Sequence, residues 1–188
     1  MKEAQVNIFD YLNAHLVAMQ RSKNAPSIHY LARHIFFYGD KHGNRSPIAD
    51  PCMSGAIVGL SMDTSIDDLA LQYYAAMEFI AQQTRHIIDT LNDAGHKITS
   101  IFMSGGQCKN TILMHLTADA TGLPVIIPKY TQDAVVLGAA MLGAKAASAQ
   151  EDLWAIMDRM SQRGHILYPT KNQNIVKLLK AKFEVSIL

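Results

Sequence analysis

The sequence MSGGQCKN, residues 103–110, is the stretch that decides the fold of this chain. It follows a β-branched run, Ile98–Phe102, which predicts a buried strand, and it leads into an amphipathic segment that predicts a helix. Two adjacent glycines at such a corner let the backbone approach a ligand closely, and the free N–H groups of the following helix favour an anion there. A plain tight turn is the alternative, because short motifs recur by chance.

Two further blocks stand in a fixed order around this corner. Downstream, PVIIP (residues 124–128) is followed by the small-residue run VVLGAAMLGA (residues 135–144). Upstream, HGNRSPIADP (residues 42–51) precedes GAIVGL (residues 55–60). Three blocks in register over about residues 37–147 are more specific than any one of them.

In this order the blocks resemble the C-terminal lobe of the FGGY carbohydrate kinases, which has the α/β ribonuclease-H-like, actin-type ATPase fold. The residues of the blocks look most like those of the ribulokinase subgroup, which phosphorylates D-ribulose. The resemblance implies a lobe that binds ATP, with magnesium held through the nucleotide, in an enzyme that transfers the γ-phosphate to a sugar hydroxyl. It also implies that the catalytic aspartate, the sugar contacts and the N-terminal hairpins of the lobe are not among these residues.

The resemblance assigns residues 1–147 to the nucleotide-side lobe and residues 148–188 to a helical extension of the same lobe. A chain of 188 residues with 49% hydrophobic residues can bury one sizeable core. We expect the isolated chain to be inactive, since it corresponds to well under half of a family enzyme. The alternative is a non-catalytic module that binds a nucleotide or a partner. We also expect self-association, because a lobe without its opening hairpins leaves a sheet edge unpaired.

The corner supplies the candidate nucleotide-binding residues that the resemblance implies. Gly105 and Gly106 would lie where the ribose and phosphates pass the strand end, and Asn110 would offer its amide to the adenine or ribose. For Asn110 the alternative is an asparagine that bonds its own backbone at a helix start. Lys109 is interpreted as a solvated surface lysine rather than a phosphate ligand.

The upstream block forms a loop stiffened by glycine and proline, and it carries two candidate charges. The family places the matching loop near the cleft between its lobes, so Arg45 and Asp50 are candidate cleft residues. An ion pair that only shapes the loop is the alternative.

Apolar periodicity predicts that helices dominate the rest of the chain. The longest stripe, from Ile66 to Leu91, predicts a helix of about 28 residues that opens with a capping box of Ser65 and Asp68. Further helices are predicted over residues 7–21, 27–34, 151–163 and 173–182, and one that Gly122 ends. For the small-residue helix after Asp133 we expect close helix packing, because glycine within a helix needs a packing reason.

Composition excludes several other function classes. A net charge of +1 gives no basic footprint for nucleic acid, and no run of about 18 apolar residues could span a membrane. Residues 1–5 lack the apolar region of a signal peptide, and Cys52 and Cys108 stand in unrelated contexts, so we expect no disulfide and a cytoplasmic protein. The eight histidines lack metal-ligand spacing, so no metal site and no catalytic residue is assigned.

Overall fold

The computed structural model describes residues 7–148 and 150–186. The predicted domains also include residues 1–6, 149 and 187–188, which lie outside the described residues. The helices are α1 (Ile8–Ser22), α2 (Ile66–Asp93), α3 (Thr111–Thr121), α4 (Ala134–Ala147), α5 (Leu153–Met160) and α6 (Gln173–Ser186). The strands are β1 (Phe36–Tyr38), β2 (Ala56–Val58), β3 (Ile101–Phe102), β4 (Val125–Ile127) and β5 (His165–Leu167).

Two small sheets frame the helices. Strands β1 and β2 form an antiparallel pair, with Phe37 opposite Ile57. The second sheet has the order β3-β4-β5, in which β3 and β4 are parallel and β5 is antiparallel to β4. The β3–α3–β4 unit makes the crossover that parallel strands require. One edge of β3 has no neighbouring strand among the described residues.

The core lies where α2 crosses α1, α3 and α6. Its fully buried side chains include Leu16, Tyr74, Met114, Leu116 and Leu179, which come from these four helices. Strand β4 contributes Val125 and Ile127 from beneath α3. The predicted length of α2, about 28 residues, is confirmed.

A charged pair is buried in this core. Lys182 of α6 bonds the Glu78 carboxylate of α2, and its Nζ also donates to the carbonyl oxygens of Ala32 at 2.9 Å and Ile35 at 3.0 Å. The Lys182 and Glu78 side chains are both 6% exposed. Burial raises the pKa of the Glu78 carboxyl, and the ammonium of Lys182 opposes that rise. Three segments therefore depend on one buried ammonium group.

The start of α2 and the side chains that it buries differ from the sequence prediction. Ser65 occupies the N-cap position without a side-chain cap bond, because its hydroxyl and N–H both bond the Asp63 carboxylate. The prediction of a capping box was therefore wrong. Ile66 and Leu69 are exposed, whereas the polar Glu78 and Gln82 are buried. Polar residues at core positions carry no apolar signal, so periodicity missed them.

Two other local predictions were wrong. Residues 27–34 form only a short 3-10 helix, Ile28–Tyr30, followed by turns. In the run before the glycine corner only Ile101 and Phe102 pair as a strand, and Phe102 is 71% exposed. A β-branched run shows that a strand is favoured, but it does not show what covers the strand's faces.

Close packing of α4 was also predicted, and the described residues show it only in part, because α4 has α5 as a neighbour but buries little of its own surface. Only Met141 of α4 is buried, while Val135 and Val136 are 84% and 71% exposed. No atom lies within 4 Å of the place that a Cβ would take at Gly138 or Gly143. Helix α5 packs against α4, but not at these two glycines, where the described residues leave open space.

The segment after residue 147 adds a strand as well as the two predicted helices. Strand β5 extends the sheet, and Thr170 donates its N–H to Asp119 Oδ1 of α3 at 2.6 Å. The other carboxylate oxygen of Asp119 faces His29, whose ring is hydrogen-bonded to the hydroxyl of the buried Tyr74. The boundary at residue 147 stays a prediction.

Both cysteines are free. Among the described residues, no helix combines the length and the apolar character that crossing a bilayer requires. The cytoplasmic location stays a prediction.

The buried pair yields the first testable prediction. Lys182→Met should lower the free energy of unfolding by about 3–5 kcal/mol, because it leaves a buried carboxylate and two buried carbonyls without their donor. Lys180→Met is the matched control, since Lys180 lies on the same helix but is exposed and makes a long ion-pair contact of 3.9 Å to Glu184. This substitution should change the free energy of unfolding by less than about 0.5 kcal/mol. Denaturant unfolding of both variants measures this, and equal small effects would contradict it.

Candidate functional site

The glycine corner lies between β3 and α3, and its path differs from the predicted direct passage from strand to helix. Gly105 adopts φ +87° and donates its N–H to Thr131 O at 2.8 Å. A 3-10 helix, Gly106–Lys109, follows, and α3 begins only at Thr111. The prediction of a direct strand-to-helix corner was wrong, because a 3-10 helix that begins at Gly106 lies between Gly105 and α3.

The space around Gly106 is the most informative feature of the corner. Gly105 needs glycine for its positive φ, which L side chains rarely adopt. Gly106 does not have a positive φ, and no atom lies within 4 Å of the place that its Cβ would take. Within the described chain, neither backbone conformation nor packing requires a glycine there, so the residue leaves free space above the corner.

Asn110 caps helix α3. Its Oδ1 accepts the N–H of Leu113 at 3.2 Å, which is the bond expected of an N-cap side chain. This is the backbone-bonding alternative that the sequence left open. The predicted contact with a nucleotide is tested by nothing in the described residues and stays a prediction.

A ring of side chains from two other helices also holds the Asn110 amide. Its Nδ2 donates to the Tyr73 hydroxyl at 2.6 Å and lies 3.1 Å from Met77 Sδ. Asn13 of α1 donates to Asn110 Oδ1 at 3.3 Å and accepts from the Tyr73 hydroxyl at 3.2 Å. Both N–H groups and both acceptor sites of Asn110 are therefore engaged within the chain. A nucleotide contact through this amide would have to replace or share one of these bonds.

Sequence reasoning missed this ring entirely. Asn13 and Tyr73 fall on the predicted helices, but their partners lie 97 and 37 positions away along the chain. Burial raises the pKa of Tyr73, so its hydroxyl stays protonated and can donate to Asn13. The sequence signal that could have revealed the ring is the pair of polar residues, Asn13 and Tyr73, on otherwise apolar helix faces.

Two further residues of the corner are Lys109 and Cys108. Lys109 is exposed, in line with its interpretation as a solvated lysine. Cys108 is half-buried, and burial raises the pKa of its thiol, which disfavours a reactive thiolate.

The loop with Arg45 and Asp50 is held by backbone and amide bonds rather than by a charge pair. Asn44 accepts from Ile48 N–H, donates to Asp40, and its own N–H bonds Asp50 O at 2.8 Å. The Asp50 carboxylate accepts the Cys52 N–H at 2.7 Å. No ion pair joins Asp50 to Arg45, which is exposed, so the ion-pair alternative was wrong. The cleft role of both residues stays a prediction.

Gly43 shows how tightly this loop is closed. A Cβ at Gly43 would lie 2.7 Å from Pro51 Cα and 2.9 Å from Asp50 O, at φ +77°. The two ends of the loop thus meet over a glycine that no other residue can replace without displacement. Among residues 7–148 and 150–186, no group of three or more histidine, cysteine or acidic side chains could hold a metal ion.

Comparison with known proteins places this geometry in a family. The C-terminal domain profile of the FGGY family of carbohydrate kinases matches residues 7–147. The chain belongs to this family. A D-ribulokinase of Saccharomyces cerevisiae is 51% identical to the FGGY chain over 170 residues, which are 90% of this chain and 23% of the yeast protein.

Solved structures agree on the fold. A ligand-bound xylulose kinase from Lactobacillus acidophilus superposes with a TM-score of 0.69 at 22% identity, over 96% of this FGGY chain and 36% of the kinase. A glycerol kinase from Plasmodium falciparum, solved with ADP, superposes with a TM-score of 0.67 at 18% identity, over 94% and 36%. The predicted ribonuclease-H-like, actin-type fold is confirmed. The chain spans about a quarter to a third of the length of these proteins.

The double role of Asn110 in capping and bridging gives a second prediction. Asn110→Ala should lower the free energy of unfolding by about 1.5–3 kcal/mol, because it removes a helix cap and leaves the Tyr73 and Asn13 side chains without their partner. Asn110→Asp keeps an oxygen for the cap, so it should recover about half of that loss. Thermal or denaturant unfolding measures both variants.

Asn7→Ala is the matched control, because Asn7 caps α1 through Phe9 N–H and is exposed. It should cost about 1 kcal/mol or less. A loss at Asn110 no larger than that at Asn7 would show that the ring adds nothing to the cap.

Proposed function

We propose that this FGGY chain is the nucleotide-binding lobe of an ATP-dependent sugar kinase that phosphorylates a hydroxyl of D-ribulose. The 51% identity to a D-ribulokinase supports the sugar, and the match to the family's C-terminal domain supports the lobe. Because the chain spans only a fraction of that relative, the sugar contacts and the catalytic base belong to residues that it does not include.

The single observation that carries the proposal is the free space at Gly106. Phosphoryl transfer requires mainly positioning and charge stabilisation from a protein. Gly105 and Gly106 would let the ribose and phosphates of ATP pass close to the backbone, where a side chain would collide with them. Bound ATP supplies the γ-phosphate, and magnesium would be held through its phosphates.

Asn110 has two tasks in this proposal. It caps α3 through Leu113, and its amide would contact the adenosine by sharing or replacing one of its bonds to neighbouring side chains. Tyr73 and Asn13 then act as positioning residues, because they hold that amide in one orientation. The loop with Arg45 and Asp50 would face the cleft between the lobes.

The proposal predicts the effect of filling the space at Gly106. Gly106→Val should weaken ADP binding at least about tenfold, because the branched side chain occupies the space that the ribose and phosphates need. Gly143→Val is the control: Gly143 has equally open surroundings but lies in α4. Calorimetric titration of ADP measures the affinities, and melting temperatures report any misfolding.

Unchanged ADP affinity in a folded Gly106→Val protein would show that the corner is only a turn. The same preparations should transfer no phosphate from ATP to D-ribulose. Turnover near a typical kcat of about 10 s⁻¹ would contradict the assignment of catalysis to residues outside this chain. If the chain binds ADP but transfers no phosphate to D-ribulose even when a complementary kinase lobe is added, the result would favour a non-catalytic module.

We also propose that the isolated chain self-associates through its apolar sheet edge. Phe102, Ile126, Leu137 and Met141 line an apolar cavity of about 400 Å³ between strands β3 and β4 and helix α4, and Val135 and Val136 lie exposed on α4. Apolar surface of this kind next to a free strand edge favours association.

Sedimentation velocity tests the association. Val135→Lys together with Val136→Lys should shift the distribution towards monomer, because the two positions are the most exposed apolar residues of α4. Replacing Val176, an exposed apolar residue of α6, should leave the distribution unchanged. A wild-type chain that is monomeric at micromolar concentration would contradict the proposal.

A further inference from the structure

A cavity of about 260 Å³ lies between helix α2, helix α6, strand β1 and the loop that follows β1. Its apolar lining is mainly aromatic and includes Phe36, Phe37, Tyr38, Phe79 and Phe183. Its charged and titratable lining consists of Asp40, Glu78, His86 and Lys182. The cavity uses none of the residues of the glycine corner, so what it binds does not depend on the nucleotide-binding proposal.

Glu78 and Lys182 neutralise each other and offer nothing to a ligand. Lys182 Nζ donates its three N–H groups to Glu78 and to the carbonyl oxygens of Ala32 and Ile35. Glu78 Oε1 has no partner, but it is buried from solvent, so a ligand in the cavity does not reach it. The charge that a ligand meets is therefore set by the two other titratable residues of the lining.

Asp40 carries a negative charge that the chain leaves unpaired. Its Oδ1 accepts from the Asn44 amide at 3.0 Å. Its Oδ2 has no hydrogen-bond or ion-pair partner among the described residues, yet solvent reaches this atom, unlike Glu78 Oε1. The residue as a whole is only 8% exposed. A carboxylate in such a mostly apolar lining is stabilised by a cation that donates to it.

The aromatic rings of the lining also favour a cation. Two of them already hold one, since Arg85 Cζ lies 4.2 Å from the ring centroid of Phe183 and Lys182 Nζ lies 5.1 Å from that of Phe36. Phe37 and Phe79, whose centroids are 6.1 Å apart, hold no cation from the described part of the chain. An ammonium group is attracted to the face of such a ring within about 6 Å.

His86 is the remaining titratable residue of the lining. Its ring packs edge-on against Phe183, with the centroids 6.1 Å apart. A neutral imidazole adds no charge to the cavity, whereas a protonated one would repel a cation. Binding of a cation is therefore best measured at about pH 8, above the range in which histidine ordinarily gains a proton.

The lining excludes other classes of ligand. An anion would meet the Asp40 carboxylate and would find no free lysine or arginine among the described residues that line the cavity. A neutral molecule would leave that carboxylate without a charged partner. A metal ion would find no group of three histidine, cysteine or acidic ligands in residues 7–148 and 150–186. The volume is slightly below the range of about 300–1,000 Å³ for drug-sized ligands, so the cavity suits a smaller molecule.

From this arrangement we propose that the cavity between α2, α6 and β1 binds a small primary amine with an apolar body, in its ammonium form. The ammonium group donates to Asp40 Oδ2, and the apolar body lies against the rings of Phe37 and Phe79. Because hydrogen bonds from an ammonium to a carboxylate are stronger than those between neutral groups, the charge of the ligand decides whether it binds.

Three probes of the same shape and different charge test the site. They are 2-phenylethylamine, 2-phenylethanol and 3-phenylpropionate, titrated calorimetrically into the 188-residue chain at about pH 8 and constant ionic strength. The amine should bind with a Kd on the order of 0.1–1 mM. The alcohol should bind at least about tenfold more weakly, and the carboxylate should not bind.

Asp40→Asn separates the charge from the shape of the cavity. The variant keeps an oxygen for Asn44, so it should weaken binding of the amine at least about tenfold and leave the Kd of the alcohol unchanged. A merely structural role of Asp40 would alter both Kd values together. Glu184→Gln is the matched control, because Glu184 is exposed on α6 next to Phe183 but does not line the cavity. It should change neither Kd.

Met53→Lys provides a second test that leaves Asp40 intact. Met53 lines the cavity from the loop after β1, so a lysine there would bring its own ammonium group to the carboxylate and exclude the amine. Met53→Gln, a neutral residue of similar length, should keep the preference for the amine over the alcohol. Melting temperatures identify the variants that fold, and if one variant fails to fold the other decides.

Two results would overturn the proposal. One is an amine that binds no more tightly than the alcohol to the unmodified chain. The other is a preference for the amine that survives in folded Asp40→Asn or folded Met53→Lys protein. Loss of that preference in each folded variant, with both control variants unchanged, would establish the site.

Discussion

The buried ammonium group of Lys182 is the constraint on which the arrangement of this lobe depends. It reaches from α6 to α2 and to the two carbonyls that end the turns before β1, so one side chain fixes how three segments meet. A buried ion pair gives little net stability compared with an apolar pair of the same volume, because both charges lose their hydration. Its value here is positional, since Lys182 has only one place in which all three of its N–H groups find acceptors.

That position has consequences on both sides of α2. Towards the loop after β1, fixing Glu78 and Gln82 by one end leaves their other oxygens buried without a hydrogen-bond partner among the described residues. Towards α3, the same helix presents Tyr73 and Met77 to Asn110. Helix α2 therefore connects the buried ion pair to the corner where we expect the nucleotide.

The sequence was sufficient for the features that are local. The length of α2, the end of α3 at Gly122 and the family itself follow from apolar periodicity, a glycine with positive φ and three blocks of residues in order. The features that it missed are set by contacts between distant segments. The burial of Glu78 depends on a lysine 104 positions away, and the orientation of Asn110 depends on two other helices. The exposure of Phe102 shows the same limit, because a β-branched run does not reveal which of its faces is covered.

The sequence distance between Glu78 and Lys182 also affects how this lobe is made in the cell. A ribosome adds about 5–20 residues per second, so the 104 positions between the two residues take about 5–20 s to translate. Throughout that interval α2 emerges with an acidic residue on its core-facing side and no cation to pair with it. The helix can form early, but its packing against the rest of the lobe is completed only after α6 has been synthesised, so chaperones that hold nascent chains have a defined window in which to act.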